Sequence, residues 1–150
     1  MNMDEILVPI GDPGESQWAA EEAIALYRKG AARIHLLNVQ RPLPRHVAQF
    51  FSGGDLREFH RDAGMRVLGP AMQILDEAGI PHDDHVLVGN QAETIVRFAK
   101  EHHCSKVVLD NAPKGGMLSM FGLGSIGSQV RHLMRAQTSD VTAPEASGST

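Results

Sequence analysis

Glu5-Ile6-Leu7-Val8-Pro9-Ile10 runs straight into Gly11-Asp12-Pro13-Gly14-Glu15, and the reading of the whole chain turns on that passage. The first six residues are a short apolar run with branched side chains, the pattern of a strand covered on both faces. Pro9 has no amide hydrogen to give to a ladder, so it belongs near the strand's end. The next five residues read as a turn that opens a helix. Asp12 stands at the cap, Pro13 at the first helical position, and Glu15 completes a capping box.

Outward from there, strand and helix alternate. The first helix reaches about Lys29, with Trp18, Ala19, Ala23, Leu26 and Tyr27 on its inner face and Gly30 as its C-cap. Residues 34–39 form a second apolar strand, and 41–54 a loop with a short turn around 47–51. Residues 56–78 read as a helix with Phe59, Ala63, Val67, Met72, Leu75 and Ala78 inside. Gly64, Gly69 and Pro70 weaken it, and Gly79 closes it. A third strand covers 85–88, Gly89-Asn90 is a turn, and 91–102 is an amphipathic helix with Ile95, Phe98 and Ala99 inside. Residues 106–109 form a fourth strand. Such alternation implies an open parallel α/β sheet with right-handed crossovers and helices on both faces. From Asp110 onward the rhythm stops: a glycine-rich loop is followed by a helix over about 125–135 and a polar tail without a convincing strand.

Bulk properties narrow the function. The 150 residues suit one domain; 42% are apolar and 21% charged, which excludes wholesale disorder. A net charge of -4 argues against a nucleic-acid binder, which needs a basic face. No stretch approaches the roughly 20 apolar residues of a membrane span. The start, Met1-Asn2-Met3-Asp4-Glu5, lacks the basic and apolar regions of a signal peptide, so a cytoplasmic location is expected. The single cysteine, Cys104, excludes an internal disulfide.

Five segments together resemble the universal stress protein (UspA-like) family, from Met3 to about Arg135. Ile6-Leu7-Val8-Pro9-Ile10 resembles its opening strand, and residues 32–39 its second. Val86-Leu87-Val88-Gly89-Asn90-Gln91-Ala92-Glu93-Thr94-Ile95 is close to its Val-x-x-Gly-x-Pro-Ala-x-x-Ile segment. Val107-Val108-Leu109-Asp110 stands where its fourth strand ends, and Gly124-Ser125-Ile126 through Val130 is similar to its final helix entry. Each piece alone is common; five in this order and spacing are specific. The resemblance implies the adenine nucleotide α-hydrolase-like sheet, a homodimer, and in some members ATP held by Gly-x-x-Gly, nine residues, then Gly and Ser or Thr. The physics is a backbone cradle in which glycines let amides approach phosphates at a helix N-terminus.

In this chain that pattern is interrupted. Gly124 and Ser125 match the closing pair, but Asn111 and Lys114 occupy the two earlier glycine positions. Gly11 replaces the aspartate that the family places after its first strand, with Asp12 one residue late, while Pro9 and Val39 match positions that line the adenine. The candidate nucleotide residues implied by the resemblance are therefore Pro9, Gly11, Asp12, Val39, Asn111, Lys114, Gly124, Ser125 and Ile126. Three replaced positions favour a regulatory, stress-response module without tight ATP binding and without catalytic residues. The alternative rests on charge. No acidic residue lies between Asn111 and Ser139, whereas Lys114, Arg131 and Arg135 do, and Gly115-Gly116 offers a shifted cradle. That alternative is an adenine-nucleotide protein, binding ATP with magnesium through an altered phosphate loop, or a slow ATPase.

Other patterns carry less. Gly122-Leu123-Gly124-Ser125-Ile126-Gly127 has dinucleotide spacing, but it does not follow a strand directly and no apolar strand succeeds it. His82-Asp83-Asp84-His85 alternates faces if extended and is read as a solvated strand entry rather than a metal site. His102 and His103 suit the end of a helix dipole, and Cys104 is read as a small core residue. The family's last apolar strand has no counterpart in residues 138–150, so the expected domain spans 1–137 with a disordered tail after it and a dimer of altered geometry.

Overall fold

The computed structural model describes residues 3–109 and Val130. The chain divides into two compact units, Met1–Leu109 and Asp110–Thr150. The expected helix over 125–135, the degenerate fifth strand and the tail after 137 lie outside the described residues.

Strand β1 (Asp4–Pro9) opens the sheet and, as expected, ends on Pro9, which has no amide hydrogen to give to a ladder. It pairs in parallel with β2 (Ala32–Gln40) and, on its other side, with the short β4 (Lys106–Val107). Strand β3 (His82–Val88) pairs in parallel with β2, giving the order β3-β2-β1-β4. The expected parallel α/β class is the observed one.

Helix α1 (Ser16–Lys29) follows a one-turn 3-10 segment at Pro13–Glu15. Asp12 caps the entry as expected, its side chain accepting a hydrogen bond from the Gly14 amide at 2.7 Å. Glu15, however, accepts from the Gly11 amide at 3.1 Å rather than from the Asp12 amide that the expected capping box names. A four-residue helix, α2 (Arg45–Ala48), stands where the short turn was expected, slightly earlier. Helix α3 (Gly53–Glu77) begins three residues before the expected point because Ser52 caps it, accepting from the Asp55 amide at 3.0 Å. It closes on Gly79, at φ 73°, with Gly79 N–H bonded to Asp76 O and Ile80 N–H to Leu75 O, a Schellman end that only glycine adopts without strain. Helix α4 (Gln91–Glu101) starts from Asn90, whose side chain accepts from the Glu93 amide.

Two apolar layers cover the sheet. Ile6, Val8, Ile10, Ile34 and Leu36 point to the face shared by α1 and α3 and pack with Ala19, Ala20, Ala23, Leu68, Ala71 and Leu75. The alternate face meets α4, which buries Ala92, Ile95, Val96, Phe98 and Ala99.

Two expectations need correction. The buried stripe of α3 is His60, Gly64, Leu68, Ala71 and Leu75, whereas Phe59 is 40% exposed and Ala78 is exposed. Leu75 is buried as expected, but over 59–67 hydrophobicity placed the stripe one residue early, because the face that meets the sheet there carries a bonded histidine and a glycine. A Cβ on Gly64 would stand 2.5 Å from Val86 Cγ1, so the absent side chain is what lets helix and strand approach. Strand β3 begins at His82, not His85, since the ladder with β2 runs from Ile34↔His82. His82 and Asp84 are mostly buried rather than solvated: the His82 ring bonds Asp84 through Nδ1 at 2.7 Å and Asp76 through Nε2 at 2.8 Å.

Candidate functional site at the carboxyl edge of the sheet

From β1 the chain steps to β2 and β3 on one side and then returns to lay β4 on the other. In an open parallel sheet such a reversal leaves a crevice beyond the carboxyl ends of the strands. Pro9 ends β1, Val39 stands next to the end of β2, and Gly11 and Asp12 form the exposed turn out of β1. Four of the expected site residues are thus gathered at one edge. Asn111, Lys114, Gly124, Ser125 and Ile126 lie outside the described residues.

The β1 ladder continues one residue past the strand, with Ile10 N–H bonded to Leu37 O at 2.8 Å. Gly11 carries the next amide, and the Glu15 carboxylate accepts it at 3.1 Å. Asp12 is committed to the Gly14 amide. Both acids of this turn therefore hold the turn's own backbone. A Cβ on Gly11 would lie 3.8 Å from Gln91 Nε2, which puts the start of α4 beside the β1 turn and defines the other lip of the crevice.

Beneath this edge runs a buried amide network that hydropathy reading does not reveal. Asn38, 2% exposed, donates through Nδ2 to Ile10 O at 2.8 Å and accepts from Gln40 Nε2 at 2.7 Å. Gln40 Oε1 lies 3.4 Å from His60 Nδ1, and the Gln40 carbonyl accepts from Gly89 N–H at 2.9 Å. The network thus joins the ends of β1, β2 and β3 to α3. Its signal in the sequence was the polar Asn38 interrupting Ile34-His35-Leu36-Leu37: a buried amide must find partners, and the nearest are carbonyls left by ending strands.

A family model described as the Universal stress protein family matches residues 3–142. The chain belongs to the universal stress protein family. Solved structures agree on the fold. The hypothetical protein MJ0577, whose biochemical function was assigned from its structure, aligns at 20% identity and TM-score 0.67 over 88% of this chain and 90% of that one. A universal stress protein family member from Burkholderia pseudomallei aligns at 20% identity and TM-score 0.62 over 87% and 89%. A universal stress protein in complex with cAMP aligns at 17% identity and TM-score 0.58 over 88% and 90%. No curated protein matches the chain. The family match extends a few residues beyond Arg135, where the resemblance in the sequence ended.

This universal stress protein carries one thiol, Cys104. Burial and the nearby Glu5 carboxylate push the Cys104 thiol up to about 11, so at neutral pH it is a protonated, poor nucleophile. Among the described residues no three His, Cys, Asp or Glu side chains are placed to hold a metal ion, and no helix is long and apolar enough to cross a membrane.

Proposed function

We propose that this universal stress protein is a regulatory, stress-response module that acts by binding and assembly rather than catalysis, and that it does not bind ATP tightly. The observation that carries the reading is the Gly11 amide. It is the first N–H beyond the β1 ladder at the crevice, and Glu15 already occupies it. A nucleoside seated at this turn must displace that carboxylate to use the amide, and its phosphates then lie near Glu15 and Asp12, against like charge. The family aspartate that would contact a nucleoside is replaced by Gly11 itself. A relative solved with cAMP makes adenine nucleotides the ligand class to test. A second reading, an adenine-nucleotide protein with magnesium and a rebuilt phosphate loop, is favoured by the acid-free run around Lys114. We further take the protein to be a cytoplasmic homodimer, with residues 138–150 as a tail outside the folded domain.

Thermal unfolding with and without 1 mM ATP, AMP or cAMP and magnesium separates these readings. A micromolar binder would gain about 4 kcal/mol under those conditions, or roughly 8–16 °C for a chain of this size. The expected rise is below about 1 °C, with no saturable heat by titration calorimetry. A rise of several degrees that Lys114→Ala abolishes overturns the first reading in favour of the second. Light scattering on the same samples reads the homodimer.

A further inference from the structure

The face of the sheet beneath α4 carries a polar chain that the crevice does not use. Glu5 on β1, His35 on β2 and His85 on β3 lie on three adjacent strands with their side chains on one side. Glu5 Oε1 is 2.6 Å from His35 Nε2, and His35 Nδ1 is 3.1 Å from His85 Nε2. His35 is 5% exposed, while Glu5 and His85 are half-buried. From α4, Phe98 presents to both rings at 5.6 and 4.7 Å between centroids, and His102 stacks on Phe98 at 3.8 Å. His102 also lies 5.5 Å from the His35 ring and 5.9 Å from the His85 ring. Two ring nitrogens alone make a poor metal site, and protons are the cargo this arrangement handles.

Counting hydrogens shows why. An ionised carboxylate only accepts, so His35 Nε2 carries a hydrogen. The 3.1 Å contact then holds if neutral His35 accepts from His85 Nε2–H, or if cationic His35 donates to a bare His85 nitrogen. It fails when both rings are cations, since two N–H groups then point at each other inside a low-dielectric contact. The pair tolerates one positive charge and not two. Charges from every packed element act on it: Glu5 from β1, Asp83 and Asp84 from β3, His102 from the end of α4, and the Cys104 thiol within reach of the Glu5 charge.

We propose that Glu5, His35 and His85 form an acid-operated latch on α4, closed while the two rings share at most one positive charge and released when mild acid adds a second. The direction follows from the environment of His85. Burial foremost, then the His35 and His102 rings, lower its affinity for protons, and Asp83 and Asp84 only partly offset them. As pH falls below about 6.5, the unfolded segment takes up a proton that the folded one refuses, so stability drains from this contact until the folded ring is itself protonated. His82, three residues earlier on the opposite face, works the other way. Burial alone would lower its affinity, but Asp76 and Asp84 together raise it. Its contribution is complete below about 6.5 and is lost as pH rises through its elevated value. Acid thus tightens the α3 side of β3 and loosens the α4 side. Because α4 also carries Gln91 to the crevice, release of the latch alters that lip.

Amide hydrogen exchange read by mass spectrometry at pH 7.5 and 5.0, corrected for intrinsic rates, tests the latch. Protection of residues 91–101 is expected to fall about 10-fold more than that of residues 53–77. His85→Gln, which still presents a donor and an acceptor but cannot gain charge, is expected to remove the difference. Equal losses in both helices, or an undiminished loss in His85→Gln, overturn the proposal. Should that variant not fold, imidazole titration of the wild-type protein by NMR decides: two coupled steps at the pair of rings support the latch, and two independent curves overturn it.

Discussion

Replacing Gly64 by alanine is a direct test of how α3 lies on the sheet, because a helix alone and a helix on this sheet give opposite signs. In an isolated helix the change is favourable by about 1 kcal/mol, since alanine loses less backbone freedom. Here the new Cβ would stand 2.5 and 2.6 Å from the two methyl groups of Val86 and 3.1 Å from Asn38 Oδ1. Carbon atoms pack at about 3.5–4.0 Å, so the helix or the strand must give by about 1 Å. Val86 is branched at Cβ with a single stiff torsion, and Asn38 is pinned to Ile10 O at 2.8 Å, so neither yields easily. Overpacking of this kind costs about 1–3 kcal/mol, which leaves a net loss of up to about 2 kcal/mol after the helical gain. That corresponds to a melting temperature lower by up to about 6 °C for a chain of this length. Gly69, five residues along the same helix, has nothing within 4 Å of its Cβ position, so Gly69→Ala is expected to stabilise by about 0.5–1 kcal/mol. Urea unfolding of both variants beside the parent measures the two effects. Equal stabilisation by both refutes the close packing of α3 on β3.

Two further outcomes follow from buried groups. Asn38→Ala removes the donor to Ile10 O and the acceptor for Gln40, and is expected to lower stability by about 2–3 kcal/mol in urea unfolding; an unchanged midpoint would mean that the amide network contributes nothing. With its thiol raised from 9.0 to about 11, Cys104 is expected to react with iodoacetamide at pH 8 roughly 100-fold more slowly in the folded protein than in 8 M urea, and equal rates would contradict its burial.

Much of the fold is readable along the chain because the signals are short-range. Apolar runs mark the strands, Asp12, Pro13 and Asn90 mark where helices begin, and Gly79 marks where one ends; in each case the partner lies within a few residues. The order of such elements then restricts the topology, since parallel strands joined by helices cross over in one hand. At the site, Pro9, Gly11, Asp12 and Val39 are legible through resemblance, as positions at the ends of the first two strands. What those positions do is less legible: that the Gly11 amide is taken by Glu15 depends on the path of one turn.

The amino-acid order by itself determined that this chain builds a parallel α/β sheet of the universal stress protein kind, with its polar turns at the carboxyl edge. Tertiary structure alone decided which stripe of α3 goes inside, because Gly64 is chosen by the closeness of Val86 rather than by its own hydrophobicity. It also decided that Glu5, His35 and His85, separated by 30 and 50 residues, become one hydrogen-bonded chain. Hydropathy ranks each residue by its own preference for water. Strand register decides which distant residues share a face, and a charged side chain enters a core only when that register brings it a partner.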